Sequence, residues 1–345
     1  MKNEYKRAFS LLGMKIGLIS NSKSILFDDE YFLGKGGHLH SLLSNFHILN
    51  PILNKSDADM DMIFKVVDKS NTEIKFESHE SVYKVSGPIK ELEDSASDKR
   101  ASIFGNMGIF SKVAIRELEK LGIFSFHSTS FVHPATNTLY LVLGRSGAGK
   151  STVLLKAIIE NLQVFGTELT HIQIVDGRVS FIKGSLWQNC RMGNLVEDFP
   201  SLLEKFNINY RPNGNPWQRY ISIDMNPWQY PKDIMIDPKV IILYPRIESE
   251  RNLPERYKLD IADAAYTLFE NLSDKVSPPS LLYKKLFIPS VDNREDQVKR
   301  MAAAEEFIRY ANIIASWKAL TSPDTCLDTL LPKFNIKHIR RMRHV

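Results

Sequence analysis

Cysteine is nearly absent from this chain: 345 residues hold only Cys190 and Cys326. Two thiols with no pairing pattern exclude a disulfide framework, and they are read as reduced thiols of a cytoplasmic protein. Long hydrophobic runs are missing as well. No apolar stretch nears the roughly 18 residues that cross a bilayer, so no membrane partner is expected. Residues 8–17, after a basic start, are too short and interrupted for a secretory signal. Zinc-ligand spacing, internal repeats and low-complexity tracts are also missing. No Asn-Lys-x-Asp run argues for guanine, which leaves adenine as the default base of any nucleotide.

What is present fits a globular protein: 43% hydrophobic and 25% charged residues. The length suits two domains, or one large domain with an extension. The net charge of +5 is modest, and no nucleic-acid partner is expected from it. Basic residues gather near the end, at Lys337, Arg340, Arg341 and Arg343, beside His338 and His344. They are read first as a solvated tail, and second as a contact for an anionic partner.

Hydrophobic periodicity divides the chain into three parts. Residues 1–122 read as a strand-rich region, with strands over 14–20, 25–27, 63–67, 73–78 and 82–85, a polar loop over 90–99, and a helix over 113–121 stopped by Gly122. Residues 123–275 read as a nucleotide-binding core. It contains strands over 124–132, 139–143, 163–168 and 240–246, and an Asp176-Gly177 hairpin between 172–175 and 178–182. Residues 276–345 read as a helical extension, with helix expected over 295–320.

One motif carries the chemistry. Gly144-Arg145-Ser146-Gly147-Ala148-Gly149-Lys150-Ser151-Thr152 matches G-x-x-x-x-G-K-[ST] at every fixed position. An apolar strand precedes it and a helix over 152–160 follows. Glycines let successive N–H groups turn toward one anion, and the helix start adds its dipole. Lys150 then serves the β- and γ-phosphates, and the Ser151 hydroxyl serves Mg²⁺. The pattern predicts a nucleoside triphosphate, ATP by default, with Mg²⁺.

Three observations narrow the type. A hairpin follows the first helix where a doubly wound ATPase would continue β-α-β. No Leu-Ser-Gly-Gly-Gln-like run points to a transporter ATPase. Glu168 follows Lys150 by eighteen positions, at the tip of the next strand. With His127-Ser128 on the preceding strand and 237–246 and 264–272 as later elements, residues 123–275 resemble the HPr kinase/phosphorylase and PEP-carboxykinase-like kinases. The resemblance implies an α/β (α+β) fold: a mixed-sheet P-loop kinase core with an N-terminal strand-rich region and C-terminal helices. It also implies phosphoryl transfer to a hydroxyl of a small molecule, amino acid or peptide. Family members commonly carry two adjacent aspartates after the first helix, one of them a general base and Mg²⁺ partner. This chain has Thr167-Glu168 there.

The candidate residues follow. Lys150, Glu168, Arg191 and Arg246 are the catalytic candidates. Residues 144–152 and His127 are the nucleotide-binding ones, and Ser151 and Glu168 the metal-binding ones. Glu168 is read as base or metal partner, or as a turn carboxylate. His127 is read as a phosphate-side donor or a core histidine, and His171 as structural. Arg191 and Arg246 are read as phosphate-neutralising cations or surface ion pairs, Arg251 with less weight. Trp187, Trp217, Trp228 and Trp317 are base-stacking candidates or core residues. The Pro/Asn-rich segment 213–231 is read as an acceptor lid or a packed insertion. The leading reading is a kinase. A triphosphate hydrolase or switch, and a binding module with a vestigial kinase core, stand beside it. A homo-oligomer is left open.

Overall fold

The computed structural model describes residues 4–27, 46–48, 59–94, 101–105, 108–251 and 253–330. The basic tail lies outside the described residues, and so does the later half of the expected 90–99 loop.

The first sheet has six strands in the order β3-β1-β2-β4-β6-β5. They are β1 Tyr5–Leu11, β2 Met14–Ser20, β3 Phe46–Ile48, β4 Met62–Asp68, β5 Lys75–His79 and β6 Val82–Gly87. The pairs β2–β4 and β4–β6 are parallel and the others antiparallel. Helix α1, Ile109–Lys120, covers this sheet through Ile109, Phe110, Val113 and Leu118, all fully buried. Ten of its twelve residues are buried, so the helix is enclosed on nearly all sides and does not present a single apolar stripe. Two expectations change here. Residues 25–27 were expected as strand, but Ser22 heads a helical turn, Lys23–Leu26, that buries Ile25 and Leu26. Residues 89–94 form a helix instead of loop, because Ile89 and Leu92, three positions apart, are buried together.

The second sheet has nine strands. Its path is β14-β11-β10-β7-β8-β15-β19-β16, with β9 pairing β7 from the side. The strands are β7 Ile123–His133, β8 Thr138–Leu143, β9 Gln163–Gly166, β10 Leu169–Val175, β11 Arg178–Ile182, β14 Ile234–Ile236, β15 Lys239–Ile247, β16 Glu255–Lys258 and β19 Ile313–Thr321. A separate ribbon pairs β12 Trp187–Arg191 with β13 Tyr220–Asp224, and another pairs β17 Ser280–Leu282 with β18 Leu286–Ile288. The sheet is mixed: β8–β15 and β15–β19 run parallel, the rest antiparallel. The hairpin turn carries Asp176 at φ 51° and Gly177 at φ 73°, the left-handed pair that a type I′ turn requires.

Helix α2, Lys150–Ile159, packs on one face of this sheet, where Val153, Leu154 and Ala157 meet Phe131, Val142 and Leu243. Helices α3, Ile261–Ser273, and α4, Arg294–Tyr310, pack on the other, where Leu268, Leu272, Ala304 and Phe307 meet Leu141, Ile242 and Tyr244. Asp260 caps α3, and a reciprocal Asn293/Asp296 box starts α4.

The C-terminal part departs from the helical expectation. Helix α4 ends at Tyr310 because Ala311 turns to ψ 139°. Residues 313–321 then enter the sheet beside β15. The β-branched pair Ile313-Ile314 favours that pleated surface. Residues 213–231 are also less irregular than expected, since β13 sits within them.

The two sheets share material. Val276, Leu282 and Ile288 belong to the same core cluster as Phe64 and Phe110. Buried ion pairs tie α1 to α4: Arg300 Nε reaches Glu119 Oε1 at 2.7 Å, and Arg116 Nε reaches Asp296 Oδ2 at 2.7 Å. Burial pushes the Glu119 carboxyl up to about 7, against the pull of Arg300.

Candidate functional site

Strand β8 is buried at every position and ends at Leu143, just before Gly144. The chain then turns through the glycine loop into α2. Gly144 sits at φ 144° and Gly149 at φ 97°, where only glycine is unstrained. A Cβ on Gly149 would lie 2.1 Å from Ile247 Cγ1, so the loop packs against the end of β15. Lys150 Nζ donates to Gly144 O at 2.6 Å and Arg145 O at 3.3 Å. The ammonium therefore lies across the start of its own loop. Burial lowers its pKa to about 8, with Glu168 and Asp274 opposing the shift and Lys275 adding to it. Lys150 thus feels all three of those charges.

Glu168 sits in the two-residue link between β9 and β10. Its Oε1 accepts from Lys275 Nζ at 2.5 Å and lies 3.3 Å from His127 Nε2. The other ring nitrogen of His127 bonds Asp274 Oδ2, and the His127 carbonyl accepts from Asn271 Nδ2 at 3.0 Å. A chain of four groups results: Asp274, His127, Glu168 and Lys275. Lys275 is only 4% exposed. Against a strong desolvation cost, Lys275 and His127 hold the Glu168 carboxyl well below the ordinary carboxylate range. Asp274 is lowered too, chiefly by its hydrogen bond to His127. Both acids are therefore ionised at neutral pH.

Sequence reading did not select Asp274, Lys275 or Asn271. Asp274 and Lys275 follow the end of α3, and 107 positions separate Glu168 from Lys275. It also missed Gln188, whose Nε2 donates to Ser151 Oγ at 2.9 Å.

The other predicted residues are placed as follows. Thr152 Oγ1 accepts from Asn194 Nδ2 at 3.3 Å. The Arg145 side chain, 81% exposed, pairs with Glu270 on α3 at 3.1 Å. Ser146, Gly147 and Ala148 form the outer turn of the loop, with Ala148 N donating to Arg145 O at 3.1 Å. Arg191 is not brought to the loop; it donates to the Trp217 carbonyl and lies over the Tyr220 ring. Arg246, 73% exposed, pairs with Glu248 at 3.0 Å. Arg251 pairs with Glu248 and Glu255. Trp217 donates to Glu197, Trp228 packs edge-on against Phe206, and Arg256 lies over Trp317. Trp187 pairs across its ribbon with Asp224.

His171 is 1% exposed and bonds Ser125 Oγ at 2.8 Å through Nδ1. Burial lowers its pKa to about 4. A histidine with a depressed folded pKa stabilises the fold above its unfolded value, near 6.5, and loses that contribution as pH falls toward the folded one. Stability is expected to fall by up to about 1.4 kcal/mol per pH unit between those values from this group alone. Urea titrations of wild type and His171→Gln at pH 7 and pH 5 check this. The variant's loss between the two pH values should be the smaller.

The residues present fit Mg²⁺. Ser151 offers a hydroxyl, and Gln188, which holds that hydroxyl, carries a buried Oε1 without a partner. An orphaned buried acceptor suits the hydrogen of a metal-bound water. Among the described residues no group of three or more His, Cys, Asp or Glu is placed to hold a metal. Magnesium commonly binds through one or two protein ligands plus substrate phosphates. No helix among the described residues is long and apolar enough to cross a membrane.

A scan against protein-family models and a search of curated proteins each return no match.

Proposed function

We propose that this chain is an ATP- and Mg²⁺-dependent kinase of the HPr-kinase-like kind, acting on a hydroxyl acceptor. The observation that carries the reading is the half-buried Glu168–His127–Asp274–Lys275 chain, whose charges act on the lysine of a complete phosphate loop. A triphosphate-binding loop alone supports binding. An ionised carboxylate beside a histidine, coupled to that loop, adds a means of taking a proton.

The roles follow from the geometry. Lys150 exchanges the carbonyls of Gly144 and Arg145 for the β- and γ-phosphates. The loop amides and the start of α2 stabilise the negative charge. Ser151 would hold Mg²⁺, which supplies charge neutralisation across those phosphates. Glu168 accepts the acceptor's proton, and His127 and Asp274 hold it in place. The family's second acidic position is Thr167 here. Its hydroxyl donates to the Ser185 carbonyl at 3.0 Å, so Glu168 carries the acid-base work alone.

Lys275 sets when Glu168 can act. Its ion pair occupies the carboxylate, and an incoming γ-phosphate gives the ammonium a second anion to serve. In Lys275→Gln the cation that depresses Glu168 is gone, so the carboxyl titrates higher. The acid limb of kcat/KM against pH is expected to move up by at least roughly one pH unit. A purely structural loss would lower the whole profile and leave its midpoint in place.

The reading is tested by incubating the protein and Lys150→Ala with γ-phosphate-labelled ATP and a fractionated cell extract. Label in a discrete acceptor, absent with the variant, supports it. Label released only as inorganic phosphate contradicts it.

A further inference from the structure

Asp274 and Lys275 open a short segment, residues 274–279, that leaves the end of α3. Each of its residues is fastened. Asp274 N donates to Asn271 O at 3.2 Å, and its carboxylate bonds His127. Lys275 pairs with Glu168. Val276 is fully buried in the core cluster that holds Phe64 and Phe110 of the N-terminal region. Ser277 Oγ donates to Asp292 Oδ2 at 2.7 Å and accepts from Arg300 Nη1 at 3.1 Å. Pro278 and Pro279 both offer their carbonyls to the Lys112 ammonium of α1. The segment thus joins the N-terminal region to the array beside the phosphate loop.

Lys112 is the unusual member. It stands 166 positions before Pro278 and is 1% exposed. Lysine is almost never buried this deeply unless paired. Here its hydrogen bonds go to two backbone carbonyls, that of Pro279 at 3.3 Å. Burial lowers its pKa to about 8; the charge of Lys275 adds to the shift, and Asp292 and Asp274 oppose it. Lys112 therefore feels two members of the array. An apolar side chain would fill the same enclosed place without the cost of burying an ammonium. What the ammonium adds is a grip on the two prolines. Proline has no N–H, so this stretch of backbone can be held only through its carbonyls.

We infer that Lys112 is a positioning residue of the site: from the N-terminal region it holds residues 274–279 so that Asp274 meets His127 and Lys275 meets Glu168. The inference gives residues 1–122 a part in the proposed chemistry. It rests on the kinase reading for its effect on transfer, and on the segment alone for its effect on His127. Lys112 acts through Asp274 and Lys275, not on the phosphates. A small displacement is enough, since a misplacement of about 1 Å can lower a rate by about 10²-fold.

The test uses the full chain with Lys112→Met, which keeps the length of the side chain and removes its charge. Lys112→Gln serves in its place if the methionine variant does not fold. Imidazole ¹⁵N NMR of histidine-labelled protein reads the array directly, with His127 assigned by its loss in His127→Gln. The Nδ1 signal of His127 should move, because its bond to Asp274 is disturbed. The signals of His171, which bonds Ser125, should stay and serve as the control for general loosening. With labelled ATP and the fractionated extract, transfer should fall by about 10-fold or more. MgATP affinity by calorimetry should change by less than about 3-fold, because Lys150 and its loop are untouched. An unmoved His127 signal overturns the inference, and transfer that persists in the wild type then leaves the kinase reading intact. His127 and His171 signals that move together overturn it too, since the role is then general stability. A His127 shift alone, in a protein whose wild type transfers no phosphate, leaves the positioning role standing and removes the kinase reading.

Discussion

A Lys150→Ala protein is expected to lose phosphoryl transfer by roughly a hundredfold to a thousandfold, the scale seen when a charge-stabilising group is removed from a reacting centre. The argument is geometric. Lys150 is 8% exposed, and its ammonium is held by two loop carbonyls that lie beside the phosphate path. No other cation among the predicted residues stands in that position, since Arg191 and Arg246 face local partners. The fold should survive, because the buried face of α2 rests on Val153, Leu154 and Ala157; circular dichroism checks this. A pH dependence accompanies the loss. With its free-protein pKa near 8 and phosphates favouring the charged form, wild-type nucleotide affinity is expected to weaken as pH rises through that value. The variant should lack this dependence. Calorimetric titration with MgATP at pH 7 and pH 9 measures both effects.

The second large effect is expected at Glu168. Glutamine keeps the size and removes the base, and transfer should fall by about 10²- to 10⁴-fold while nucleotide binding changes little. A metal-holding role would instead weaken MgATP binding in step with turnover, so the two measurements together assign the residue. Stability gives an independent check. The folded pKa of Glu168 is depressed, so its contribution is present above the ordinary value near 4.5 and lost as pH falls below it. Glu168→Gln should unfold with less acid sensitivity below about pH 4.5 than wild type.

The local features were legible because they are written locally. Four fixed motif positions, an apolar run before them and a helix after them specify β8, the loop and α2 without reference to the rest of the chain. The Asp176-Gly177 turn specifies its hairpin in the same way. Glu168 was visible from its distance to Lys150. Its partners were not, because Asp274 and Lys275 reach it only after α3 crosses the sheet, and no period or spacing records that contact. Arg191 and Arg246 show the converse. A strand-end position places a residue in the chain, yet the direction of its side chain is settled by neighbours such as Trp217, Tyr220 and Glu248. The strand 313–321 was hidden by the strongly helical residues just before it, where an alanine- and glutamate-rich run overwhelmed two isoleucines.

The account turns on the fate of one phosphate. The most direct measurement counts it: ADP formed, phosphorylated acceptor formed and inorganic phosphate released, over one time course with wild type and Glu168→Gln. A kinase with Glu168 as its base predicts one phosphorylated acceptor per ADP in the wild type and loss of both together in the variant. One inorganic phosphate per ADP, with no phosphorylated acceptor, would contradict it and leave a hydrolase.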